Sequence, residues 1–138
     1  MMGLQVIIKT ILISGFLLSL MACTQVGPSD KKVELDVKQR WEYNFYGLIS
    51  ADVLAIDEKD VLSEDRIIYK LTMRFTRTVK KLNARVGLRI MNQMGGVGSE
   101  AAQHIGQFLR APAGASEKTD GIIAKFRLQR GEWILEKK

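Results

Sequence analysis

The chain is poor in the residues that most often carry covalent or metal chemistry. It holds one cysteine, Cys23, and one histidine, His104, among 138 residues. No intramolecular disulfide can form, so the fold relies on packing. A zinc site built from cysteine and histidine is excluded by the count. There is no Gly-x-Ser-x-Gly nucleophile elbow, and the acidic stretch around Asp57, Glu58, Asp60, Glu64 and Asp65 lacks the spacing and central glycine of an EF-hand. Aromatic residues make up 7% of the chain and do not interleave with its bases, so a stacking platform for nucleic acid is not expected. Acid is absent where base is densest: Arg66 to Arg89 contains eight Lys or Arg and no Asp or Glu.

What is present is informative first at the N-terminus. Residues 1–22 carry a single charged side chain, Lys9, and then an apolar run from Ile11 to Met21. That layout reads as an export signal. The run falls short of the roughly 20 apolar residues needed to span a bilayer as a helix, because Lys9 interrupts it. Leu20-Met21-Ala22-Cys23 closes the run. This quartet resembles the lipobox of bacterial lipoproteins, in which an aliphatic and a small residue precede a cysteine. The resemblance implies transfer of diacylglycerol to the Cys23 sulfur, cleavage after Ala22, and acylation of the new amine with a palmitate-type chain. Thr24 stands where an aspartate would imply retention in an inner membrane. The implied location is therefore the periplasmic face of the outer membrane, if the host is Gram-negative. An uncleaved membrane anchor and an ordinary secretory signal are the competing readings.

Residues 23–29 then form a lipidated tether, and residues 30–138 a single small domain. All 15 acids and all bases except Lys9 follow Cys23. Ser29 or Asp30 can cap a helix running to about Tyr46, with Val33, Val37, Trp41 and Phe45 on one stripe. Leu48 to Ile56 reads as a strand, ended by a charged turn at Asp57–Asp60. Ile67, Tyr69, Leu71, Met73 and Phe75 alternate with polar residues, the period of a half-buried strand. Leu82, Ala84, Val86, Leu88 and Ile90 extend that alternation, so a long hairpin turning at Lys80-Lys81 is expected. Ser99 can cap a short helix to Leu109, ended by Pro112. Ala111 to Asp120 reads as a loop. A last hairpin turns at Arg130-Gly131, setting Phe126 opposite Leu135, Leu128 opposite Trp133 and Lys125 opposite Glu136.

The expected fold class is α+β: an N-terminal helix packed on a twisted antiparallel sheet of hairpins, with one short additional helix. This order, and the closing Phe126-x-Leu128-x-x-Gly131-x-Trp133-x-Leu135, weakly resemble the cone-shaped nuclear transport factor 2-like domains and the related cystatin-like layout. Relative to that pattern, the several N-terminal helices are reduced to one. The outer sheet face is expected to carry Lys70, Arg74, Arg85, Arg89, Lys125 and Arg127, which can attract an anionic partner or serve as solubilising charge. A ligand pocket lined by Trp41, Phe45, Tyr69, Met73 and Trp133 competes with a solid core of the same residues. His104 has no orienting carboxylate or nucleophile nearby in sequence; an enzymatic role requires an acid such as Asp120 or Asp52 within hydrogen-bond reach. Gly96-Val97-Gly98-Ser99 at a helix start lacks the lysine of a phosphate-binding loop and reads as a connector.

These readings converge on a non-enzymatic binding or assembly module of the cell envelope, accessory to a secretion or envelope complex. Its expected partners are the membrane, through the lipid, and an envelope protein. No cofactor, metal or nucleic acid is expected. A small-ligand protein is the second reading, and an enzyme using His104 the third.

Overall fold

A computed structural model describes residues 26–96 and 98–137. The lipobox residues Leu20, Ala22 and Cys23 lie outside the described residues, as does the first part of the tether. The fold is α+β: helix α1 (Asp30–Asn44), strands β1 (Ile49–Ser63) and β2 (Arg66–Arg77), helices α2 (Ala84–Gln93) and α3 (Glu100–Leu109), and strands β3 (Ser116–Gln129) and β4 (Glu132–Leu135). The strands form one antiparallel sheet in the order β1-β2-β3-β4.

Helix α1 starts where its chemistry dictates. The Ser29 side chain accepts a hydrogen bond from the Lys32 amide, and Asp30 sits in the first turn, where the helix dipole favours a carboxylate. The helix ends in a Schellman arrangement: Gly47 N–H donates to Glu42 C=O at 3.0 Å and Tyr46 N–H to Tyr43 C=O at 3.0 Å. Its expected stripe faces the sheet, with Val33, Val37 and Phe45 buried and Trp41 half-buried. Two cations flank that stripe. Lys38 Nζ donates to Ala51 C=O on edge strand β1, and Arg40 donates to Leu135 C=O at the end of edge strand β4 and to Glu136 C=O just beyond it. One helix thereby grips both borders of the sheet, and each cation covers a carbonyl that would otherwise invite strand addition.

Strand β2 is the central element. Ile67, Tyr69, Leu71, Met73 and Phe75 are all buried on the helix side, as their alternation predicts. Its neighbours are not the expected ones. Leu82 to Ile90 is not a return strand; residues 84–93 form α2. The Asn83 side chain caps it by accepting from the Val86 amide, Val86 and Ile90 turn inward, and Leu88 is 53% exposed. An alternation that required Leu88 inside is replaced by a four-residue stripe. Strand β1 takes the vacant place beside β2, turning at Glu64-Asp65. Asp57–Asp60 is therefore not a turn but strand, its acids standing exposed at a sheet edge. A bulge between Val53 and Ala55 switches the inward face, which leaves Ala55 exposed and brings Ile56 to the core instead.

The loop expected at 111–120 is shorter, because β3 begins at Ser116. A bulge at Asp120-Gly121 shifts the β2–β3 register between Leu71 and Met73, with Gly121 at φ +72°. The closing hairpin has the expected register: Phe126 opposite Leu135 and Leu128 opposite Trp133. Arg130 and Gly131 both have positive φ, the geometry of a type I′ turn. The backbone continues the pairing at Glu136, but its carboxylate lies 3.7 Å from Arg127 Nε. Two short helices, rather than one, join β2 to β3. They pack closely at Gly106, where an added Cβ would lie 3.1 Å from Met91 Cε.

Candidate functional site

The two ends of the sheet differ in character. At the end bearing the β1–β2 turn, the chain enters the fold along the core. Lys59 Nζ donates to Val26 C=O at 2.6 Å. Gly27, at φ +109°, sits so close that an added Cβ would lie 2.5 Å from Ile67 Cδ1 and 3.2 Å from the Tyr69 hydroxyl. Pro28 is buried. Residues 26–29 are thus docked on the inner face. Tyr69 is fully buried and its hydroxyl has no hydrogen-bond partner among the described residues. Burial, and secondarily the Asp30 charge, push its pKa above the usual tyrosine value.

At the opposite end, β2 finishes in Arg77, a buried cation. Its guanidinium donates to the carbonyls of Leu48 and Lys80 and holds the chain that leads into α2. The six bases expected on one face do not share it. Lys70, Arg74, Lys125 and Arg127 are on the outer sheet face, whereas Arg85 and Arg89 are on α2. On the sheet, Lys70 stands opposite Glu58 and Arg74 opposite Asp52 in the β1–β2 register, though the Asp52 carboxylate pairs with Lys38 rather than with Arg74. Arg85 and Arg89 instead share one exposed side of α2 with Leu88. Val79, 89% exposed, and Lys80 and Lys81 precede that helix. Lys80 and Lys81, which the hairpin pattern places in a turn, lie instead at the foot of α2. Among the described residues, none of Lys80, Lys81, Arg85 and Arg89 forms an ion pair. The Lys80 ammonium donates to Tyr46 C=O.

The five expected pocket residues separate. Phe45, Tyr69 and Met73 are core. Trp133 borders an open groove of about 480 Å³ between α1 and β4. Trp41 borders a different, half-open cavity of about 210 Å³ between α1, the sheet and α3. The walls of that cavity are mainly apolar, and at it His104 Nε2 lies 2.6 Å from Glu117 Oε1. Glu117 is the carboxylate that sequence spacing did not find: α3 and β3 bring the two together across a connection with no local signature. The two acids considered for His104 are engaged elsewhere. Asp52 pairs with Lys38 at 3.2 Å, and Asp120 Oδ1 lies 3.2 Å from the Thr72 hydroxyl, which also bonds Asp57. Burial opposes the charge on Lys38, but its bonds to Glu42 and Asp52 prevail and raise its pKa. Among the described residues, no group of three or more His, Cys, Asp or Glu is placed to hold a metal ion.

Comparison with known proteins gives no match: no family model, no curated protein and no solved structure is significantly similar to the chain. Among the described residues, no helix is long and apolar enough to cross a membrane.

Proposed function

We propose that the protein is a lipid-anchored component of the cell envelope. Its domain acts by binding, as an assembly module, and meets an acidic protein partner through the α2 end. The observation that carries this reading is the separation of the two ends of β2. Val26, three residues after Cys23, is held against the fold by Lys59. Three residues span at most about 10 Å, so a lipid on Cys23 holds the Ile67 end near the bilayer. From Ile67 to Arg77 the strand rises about 30 Å, at roughly 3.3 Å per residue. That exceeds the Debye length of about 8 Å at physiological salt several-fold, so the bases that follow Arg77 interact little with the anchoring membrane. They are available instead to a partner met at a distance from it. In a host with two membranes, the residue after Cys23 being Thr24 and not an aspartate supports an anchor on the periplasmic face of the outer one.

Two measurements test the two parts of the proposal. Mass spectrometry of the mature N-terminus reads the lipid; an unmodified Cys23, or a Cys23→Ser protein that still sediments with membranes, removes the anchor. Crosslinking and capture compares the native protein with the Lys81→Glu, Arg85→Glu, Arg89→Glu variant, which leaves the Lys80 contact to Tyr46 C=O intact. Exposed substitutions of this kind change stability by only about 0.5 kcal/mol each. Loss of a partner seen with the native protein supports the reading, and equal capture by both refutes it.

A further inference from the structure

The cavity beside His104 is lined by none of the bases Lys80, Lys81, Arg85 and Arg89. We propose that it binds a small aromatic molecule, one ring bearing a single hydrogen-bonding group, with the ring inside and the polar group at the His104–Glu117 pair. Size sets the first limit. The cavity is about 210 Å³. A cavity of about 150 Å³ suffices for benzene, so one ring and a short substituent fit within this one. The walls set the second. Trp41 and Phe75 have ring centroids 4.9 Å apart at 52°, a tilted corner that offers one face and one edge to a third ring. Phe108 and the thioether of Met94 line the same space. Sulfur and aromatic edges both favour a π system over an aliphatic chain.

The rim sets the third limit. His104 and Glu117 line the cavity, yet their side chains are 63% and 35% exposed, so they stand between the apolar interior and water. A carboxylate that already accepts from the imidazole keeps free lone pairs for a ligand hydroxyl. The outer wall comes from α3, through Ala101, Ile105 and Phe108.

The test uses the full-length protein in nanodiscs, with methyl-labelled Met and Ile, and p-cresol and toluene as probes. Saturable shifts at Met94 and Ile105, with a p-cresol dissociation constant of about 1 mM or tighter, are expected. Partition into lipid alone gives no saturation at these methyls, and that outcome overturns the proposal. Toluene lacks the hydroxyl and should bind roughly tenfold more weakly, as expected for one lost hydrogen bond to a charged acceptor. Equal affinity for both probes shows that the rim reads nothing, and it also overturns the proposal. Ala101 is exposed and lines the cavity, so Ala101→Trp should fill the site and abolish binding without disturbing the core. Undiminished p-cresol binding by that variant places the probe elsewhere. If the variant does not fold, the comparison of the two probes on the native protein still decides.

Discussion

Replacing Tyr69 with phenylalanine should stabilise this protein. The ring is fully buried and meets Phe126 edge-on, with centroids 5.5 Å apart at 87°, and phenylalanine keeps that contact. The hydroxyl is the part with no partner among the described residues. Burying an unsatisfied hydroxyl costs about 1–3 kcal/mol, whereas the void left by one oxygen costs only a few tenths. The net gain should be about 1–2 kcal/mol, or roughly 4–8 °C in Tm for a domain of this size. Alkaline pH gives a second reading of the same group. Burial raises the Tyr69 pKa above its ordinary value of 10.0, so the folded state retains a proton that the unfolded chain has released. The contribution of this group is therefore fully present below pH 10 and is lost as pH rises through the raised pKa. Phenylalanine removes that loss. Urea denaturation at pH 7 and at about pH 11 should show the gap between the two proteins widening with pH. A variant less stable by 1 kcal/mol or more at pH 7, or a gap independent of pH, would refute the assignment of an unpartnered phenol.

Three further outcomes follow from single contacts. Gly27→Ala places a Cβ 2.5 Å from Ile67 Cδ1 at φ +109°, so it should lower stability by about 1–3 kcal/mol in denaturant titration and expose Val26 to proteolysis. Gly106→Ala should be nearly neutral in thermal melts: the better helix former contributes about 1 kcal/mol, which the 3.1 Å approach to Met91 Cε offsets. Lys38→Met should lower stability at pH 7 by up to about 1 kcal/mol, discounted because its side chain is 36% exposed. Since the Lys38 pKa is raised, this deficit holds from neutral pH up to 10.5 and shrinks as pH climbs beyond it; a deficit that grows with alkalinity would contradict the pairing with Glu42 and Asp52.

The sequence disclosed elements whose signals are local. Ser29 and Ser99 announce helix starts, Val33 to Phe45 announces a buried stripe, and Arg130-Gly131 fixes a hairpin register. The stretch from Leu82 to Ile90 was ambiguous for a definite reason. Leu82, Val86 and Ile90 satisfy both a two-residue and a four-residue period, and only Ala84 and Leu88 distinguish them. Both are exposed, and Asn83 supplies the cap that a strand would not use. The charged run Asp57–Asp60 reads as a turn, whereas an edge strand with a solvated face accommodates its acids without burial. The His104–Glu117 contact depends on how a helix and a strand from different parts of the chain meet, and no spacing encodes that. Lys80 and Lys81 were legible as bases but not as the foot of a helix.

Strands β2 and β3 lie side by side and run in opposite directions, so a two-residue turn would have joined them; residues 78–115, with α2 and α3, take that place. Closing so long an excursion costs about 2–3 kcal/mol more in chain entropy than a tight turn. The β1–β2 and β3–β4 hairpins, each closed locally, should therefore form early and dock to one another late. Arg77, bonded to Leu48 and Lys80, guards the exit of the excursion, and Ala115 C=O accepts from the Arg77 amide at its return. The slowest step in assembling this protein should thus be the closing of its one long detour, with that buried guanidinium as the latch.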